Sequence, residues 1–221
     1  MSFNIAIDGP AGAGKSTVAR MAAGKLGFVY VDTGAMYRTI ALYMLDNHVD
    51  VDDEKALTEA LSKIEIGLRY ENGAQQMILN GVNVSGCIRT PEVSAQASVT
   101  AVKPQVRAKL LNLQRDLAKK ENVIMDGRDI GTRILPDAGL KIFLTASSAE
   151  RARRRYAELQ EKGQDCDYDQ IKKEIEERDY RDMHRAEAPL KKADDAVFLD
   201  TSDIDAEQAA ERIVSLAKER M

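Results

Sequence analysis

The sequence predicts an α/β fold: a parallel sheet covered by helices on both faces, carrying one small antiparallel insert. Three observations predict it. Five short apolar runs occur at 3–8, 28–31, 123–126, 140–144 and 196–199, separated by stretches with helical periodicity. Runs that are mainly apolar, rather than strictly alternating, suit strands buried on both faces. A glycine-rich turn, 9–14, joins the first run to a helix. Between about 65 and 85 the apolar period changes from helical spacing to alternation.

The elements follow in order. Phe3-Asn4-Ile5-Ala6-Ile7-Asp8 is the first strand, and Lys15 to Leu26 is a helix stopped by Gly27. Phe28 to Val31 is the second strand. Ala35 to Leu45 is helical, with Met36, Ile40 and Tyr43 or Met44 on one face. Asp52-Asp53 caps a helix to about Ile64. Ile66, Leu68 and Tyr70, then Met77 and Leu79, alternate around Asn72-Gly73, a strong hairpin signal. Thr90-Pro91-Glu92 places a cap, a proline and an acid where a helix begins. That helix breaks near Lys103-Pro104, and a second one runs to about Lys120. Val123 to Asp126 is the third strand and Leu140 to Leu144 the fourth. Ser147 caps an arginine-rich helix, and Asp169 opens another that passes Glu177. Ala196 to Leu199 is the fifth strand. Asp205 caps the last helix, whose stripe is Ala209, Ile213, Leu216 and Ala217.

Composition narrows the function. The 221 residues are 44% apolar and 31% charged, an ordinary globular balance. A net charge of −4 argues against a generally basic nucleic-acid binder, and the lack of Trp against a base-stacking surface. Cys87, Cys166, His48 and His184 make no zinc spacing, and the two cysteines read as free thiols in a reducing cytoplasm. No apolar run reaches membrane-spanning length. The chain is therefore expected to be cytoplasmic and monomeric, with neither nucleic acid nor membrane as partner.

Gly9-Pro10-Ala11-Gly12-Ala13-Gly14-Lys15-Ser16 matches G-x-x-x-x-G-K-[ST], followed by Thr17, between a strand and a helix. In such a loop backbone N–H groups point at phosphate oxygens, and the helix start adds partial positive charge. Lys15 would bridge the terminal phosphates of a nucleotide and the Ser16 hydroxyl would ligate Mg²⁺. A GTPase would show N-K-x-D and a transporter ATPase a serine-glycine-glycine signature; neither is present. What remains is a small kinase with a second, acceptor-binding site.

Three clusters could build that site. Asp32-Thr33-Gly34-Ala35-Met36-Tyr37-Arg38 follows the second strand, where ligands sit in doubly wound sheets. Asp126-Gly127-Arg128-Asp129-Ile130-Gly131-Thr132 follows the third, with a carboxylate where a Walker B residue would lie. Arg178, Asp182 and Arg185 fall at i, i+4 and i+7 on one helical face, an excess of positive charge that a phosphate would offset. Arg151, Arg154 and Arg155 share another face and read either as a solvated surface or as a mobile lid over the transferring group.

Together these motifs resemble the bacterial cytidylate kinases, and the resemblance covers the whole chain in order. It implies one domain over 1–221 with a five-stranded core at 1–32, 120–150 and 188–221. The acceptor region would be 33–119, containing the antiparallel insert at 65–85, and a short helical lid would lie at 150–170. It implies phosphate contacts from Arg38, Arg128 and Arg185 and ribose contacts from Ser98, Arg178 and Asp182. Thr33, Arg107 and Asp129 would stand against cytosine. Lys15, Arg128, Arg185 and Arg154 would stabilise transition-state charge, with Asp126 or Asp32 assisting Mg²⁺ through water. The reaction implied is phosphoryl transfer from ATP to CMP or dCMP. Two alternatives stay open at this point: a kinase for another small acceptor, and a non-catalytic nucleotide-dependent protein associated with RNA.

Overall fold

The structure, a computed structural model, describes residues 2–71 and 73–221. The chain divides into two compact units, one made of residues up to 30 and from 118 onward, the other of 31–117.

The five-stranded sheet runs in the order β2 (Val29–Asp32), β6 (Val123–Gly127), β1 (Ile5–Asp8), β7 (Leu140–Thr145) and β8 (Val197–Asp200). β1 pairs in parallel with both β6 and β7, which sets Asp8 opposite Gly127 and Phe143. The expected burial on both faces is present in the central strands: every residue of β1 and β6 is buried. On one face α1 (Lys15–Leu26) and α8 (Ala206–Lys218) close the core, with Val18, Ala22, Ile213 and Leu216 packed on Ile5, Ile7, Ile142 and Leu144. Each such Val, Leu or Ile side chain stabilises the fold by about 1.5–3 kcal/mol on burial. Asp205 and Gln208 form a reciprocal capping box that starts α8 at the expected place.

The helical hairpin of this unit is α6 (Ser148–Glu161) and α7 (Tyr168–His184). α7 begins one residue before the expected Asp169 because Asp167 accepts from the Gln170 amide and caps it. A single π-helical turn, Ile130–Ile134, follows β6. The buried Asp8 carboxylate fixes this turn, accepting from the Ile130 and Gly131 amides at 2.8 and 2.7 Å.

In the second unit α2 (Thr33–Asp46) packs on α4 (Pro91–Thr100), with α3 (Glu54–Ser62) and most of α5 (Pro104–Lys120) completing it. α2 starts two residues earlier than its periodicity suggests, because the Asp32 side chain caps it through the Ala35 amide. The antiparallel insert is a three-stranded sheet of β3 (Ile66–Glu71), β4 (Ala74–Leu79) and β5 (Val82–Asn83). Of the expected Asn72-Gly73 turn, Asn72 lies outside the described residues. Gly73 has φ 74 and Glu71 pairs with Ala74, so a two-residue connection closes the hairpin.

Candidate active site

The first unit gathers the glycine loop, the turn after β6 and the end of α7. The loop leaves β1 at Gly9, where only glycine fits: a Cβ there would stand 1.9 Å from the Leu144 carbonyl oxygen, at φ 152. Lys15 is buried and its ammonium donates to the Pro10 carbonyl at 2.7 Å. Burial, reinforced by the nearby Arg128 charge, pulls its pKa down to about 7. Ser16 Oγ donates to Asp126 Oδ2 at 2.9 Å, and Tyr30 donates to the other oxygen at 3.0 Å. Asp126 comes from β6, the strand beside β1, so sheet pairing brings loop hydroxyl and carboxylate together.

Beyond Asp126, Arg128 donates to Asp182 Oδ2 at 2.8 Å. Arg185 approaches the same carboxylate at 3.9 Å and Asp129 at 3.8 Å, while donating to the Ala188 carbonyl. Asp129 and the Arg185 side chain are both almost fully buried. Burial pushes the Asp182 carboxyl up, but Arg128, Arg178 and Arg185 outweigh it and hold the group below its ordinary pKa. The expected helical face is only partly how this cluster forms. α7 ends at His184, and Arg185 is its extended C-cap, swung out of the helix and back toward Asp129.

The arginines of α6 divide. Arg154 donates to Glu150 and to the Thr201 carbonyl, and it lines a cavity of about 530 Å³ with Gly14, Thr17, Thr201, Asp203 and Ile204. Arg155 pairs with Glu158 on the surface. Arg151 is buried, pairs twice with Asp179 of α7 and donates to the Ala11 and Ala146 carbonyls. Its place as a brace of the glycine loop was not legible from spacing, which puts it on the same helical face as Arg154.

The second unit holds the other candidates. Thr33 is buried at the first position of α2. Arg38, a turn and a half later, donates to Asp32 Oδ2 at 3.0 Å. A Cβ on Gly34 would meet Arg38 Nη1 at 3.0 Å and Asp32 Oδ1 at 3.1 Å, so any larger residue here would press on the Arg38–Asp32 pair. Ser98 is half-buried on α4 and donates to the Ser94 carbonyl. Arg107 is buried on α5, over the Tyr37 ring at 5.8 Å, and donates to the Ala101 carbonyl. Sequence reasoning missed Gln75 and Arg89, which also reach Asp32. The hairpin pattern around Gln75 predicts a strand and carries no sign of that contact.

A parallel sheet with the glycine loop at the carboxyl end of β1 and a loop serine bonded to the acid of the neighbouring strand defines a P-loop nucleotide-binding protein. The cytidylate kinase family model matches residues 5–219. The chain is 49% identical over 218 residues to a cytidylate kinase of Lactobacillus gasseri, covering 99% of this chain and 95% of that one. It is 50% identical over 217 residues to a cytidylate kinase of Shouchella clausii, covering 98% and 96%. Its fold is similar to that of an uncharacterised protein from Eubacterium ventriosum, with TM-score 0.55, 14% identity and coverage of 99% and 100%. The chain belongs to the cytidylate kinase family and is a nucleoside monophosphate kinase. Membership sets aside the two alternative readings of the sequence. Among the described residues no helix is long and apolar enough to cross a membrane.

Proposed function

We propose that the protein transfers the γ-phosphoryl group of ATP to the phosphate of CMP or dCMP, using the two sets of side chains described above. Family membership carries the reaction. The observation that supports the residue roles is the convergence of Lys15, Ser16, Asp126, Arg128 and Arg185 at the carboxyl ends of β1 and β6 and the end of α7. The loop amides and Lys15 bind the donor's phosphates, and the cavity beside Thr17 and Arg154 takes its base and ribose.

The acceptor oxygen is already ionised near neutral pH, so the site needs no strong general base. It attacks the γ-phosphorus as the bond to the ADP oxygen breaks, and the charge spreads over the transferring oxygens. Lys15, Arg128, Arg185 and Arg154 are positioned to offset that charge, and Lys15 regains a full proton as the phosphates approach. Arg38 binds the acceptor's phosphate with Arg128 and Arg185, while Ser98, Arg178 and Asp182 bind its ribose. Thr33, Arg107 and Asp129 read cytosine: a carboxylate accepts from its amino group and repels the carbonyl of uracil.

The Ser16 hydroxyl and the Asp126 carboxylate are hard oxygen donors 2.9 Å apart, a set that fits Mg²⁺. Ser16 would hold the ion directly and Asp126 through water. Asp32 is left out of this role because its carboxylate is taken up by Ala35, Arg38 and Arg89. When bound, the ion neutralises charge on the donor's phosphates. We place the enzyme in the cytoplasm because its two free thiols suit a reducing compartment.

The test is a panel of CMP, dCMP, UMP, AMP and shikimate in a coupled assay for ADP. CMP and dCMP should turn over well, UMP poorly and the others barely. Comparable rates with UMP or a purine monophosphate would overturn the assignment of the base-reading residues.

A further inference from the structure

The antiparallel insert supplies none of the groups assigned above, yet it is bonded to the residue that holds Arg38. Gln75, on β4, pairs with the backbone of Asp32 as another strand would. Its side-chain oxygen accepts from the Asp32 amide at 2.8 Å, and its nitrogen donates to the Asp32 carbonyl at 3.2 Å. Arg89 lies just after the insert, between Ile88, which is buried, and Thr90, which caps α4. It donates to Asp32 Oδ2 at 3.1 Å, the same oxygen that Arg38 uses at 3.0 Å. The other oxygen caps α2. One carboxylate therefore serves two guanidinium groups.

The two arginines differ in a way that assigns them different tasks. Arg38 is largely enclosed, and its buried Nε has no hydrogen-bond partner among the described residues. Its pose on Asp32 leaves a donor unused, which is costly in a buried place. Arg89 is 61% exposed and is well solvated where it stands. The Asp32 side chain is only 8% exposed. If Arg38 turned to a phosphate with no second cation present, a buried carboxylate would be left without a counter-ion, one of the more expensive events in a protein interior.

We propose that Arg89 is a positioning residue for the acceptor: it is the standing counter-ion of Asp32 that frees Arg38 to bind the acceptor's phosphate, and Gln75 fixes the Asp32 backbone while the exchange takes place. The proposal rests on the reading of Arg38 as a phosphate ligand. It gives the insert a task in substrate binding, carried out from behind the ligand side chains.

The experiment measures CMP dissociation constants, KM for each substrate, kcat and Tm for Arg89→Ala, Arg89→Lys, Gln75→Met, Arg38→Ala and the Arg38→Ala/Arg89→Ala pair. Arg89→Ala should weaken CMP binding about tenfold, the scale of one charged hydrogen bond reduced by exposure. KM for ATP and Tm should stay near wild type, and Arg89→Lys should recover most of the loss. Gln75→Met should weaken CMP binding in the same direction by about threefold, the scale of a neutral hydrogen bond. In the pair, loss of Arg89 should add nothing to loss of Arg38, because no exchange remains to support. Multiplying losses would mean that Arg89 touches the phosphate itself, and would overturn the proposal. Unchanged CMP affinity in Arg89→Ala would overturn it as well, as would a parallel decline of ATP KM and Tm, which would mark a purely structural contact. Unchanged CMP affinity in Arg38→Ala would overturn the phosphate reading of Arg38 and this proposal with it. Loss in Arg38→Ala with none in Arg89→Ala sinks this proposal alone.

Discussion

The glycine loop and the arginine clusters, both proposed to bind phosphates, keep their cations in opposite ways. Lys15 is held by a neutral carbonyl, and burial brings its pKa down to about 7. Arg128 and Arg38 are held by carboxylates, Asp182 and Asp32, while Arg185 donates to the Ala188 carbonyl and has Asp129 and Asp182 beside it at 3.8 and 3.9 Å. The difference follows from the side chains. A lysine can give up its proton when desolvated, whereas a guanidinium cannot at any relevant pH. A protein that gathers cations for a phosphate must hold them together by itself, and these are two solutions. The loop weakens the charge; the clusters lend a counter-ion, which the substrate must then displace.

The most direct way to break the comparison is Lys15→Ala. Loss of a preorganised cation at the transferring group should lower kcat by about 10²–10³. Tm should hold or rise, since a buried ammonium is removed. Rapid-quench turnover and a thermal melt together check this, and near-normal turnover in a folded variant would remove Lys15 from the chemistry.

Asp182→Ala should have the next largest effect. It removes the counter-ion shared by Arg128, Arg178 and Arg185 and the proposed ribose contact, at about 1.5–3 kcal/mol for a charged hydrogen bond. kcat/KM for CMP and dCMP should fall unequally. Equal losses would leave Asp182 as a holder of arginines only.

Arg154→Ala tests whether the cavity side of the loop belongs to the donor. kcat should fall about fivefold, the loss of one partly exposed charged contact at the transferring group, while the CMP dissociation constant stays put. A collapse of CMP affinity would move α6 to the acceptor's side.

The smallest effect sharpens the lysine half of the comparison. Since the free protein holds Lys15 at about 7, the ammonium is penalised below that value. Stability should therefore rise as pH climbs from about 7 toward the ordinary lysine value of 10.5. The buried Asp8 carboxyl, raised to about 6 by desolvation, acts oppositely: its cost is absent below the ordinary value of 3.8 and grows as pH rises to about 6. Phosphates that recharge Lys15 should draw in up to about one proton at pH 8, read by calorimetry in buffers of different ionisation enthalpy. Lys15→Arg should abolish that uptake. Equal binding heats in all buffers for the wild type would show Lys15 already charged.

Residues whose roles depend on near neighbours were readable. Gly9 to Thr17 declare a phosphate loop because its chemistry is local: consecutive amides, a lysine and a helix start. The five strands and their helices were readable for the same reason, since period and burial are properties of short windows. Boundaries moved where a side chain overrode the pattern, as when Asp32 and Asp167 started α2 and α7 early.

The sequence by itself determined the class of sheet, the phosphate loop and the identity of the charged groups around it. Only the tertiary structure decided which carboxylate holds which arginine. Arg185 looked like part of a helical face and is a cap reaching toward Asp129; Arg151, which spacing left open between a solvated face and a lid, is buried and donates to the Ala11 carbonyl. Arg89 and Gln75 carried no signal at all, yet both end on Asp32, 57 and 43 residues away. The physical reason is that a charged side chain is recognisable from its neighbours along the chain, but its counter-ion is chosen by whichever strand, helix or turn the packed core brings within about 3 Å of it.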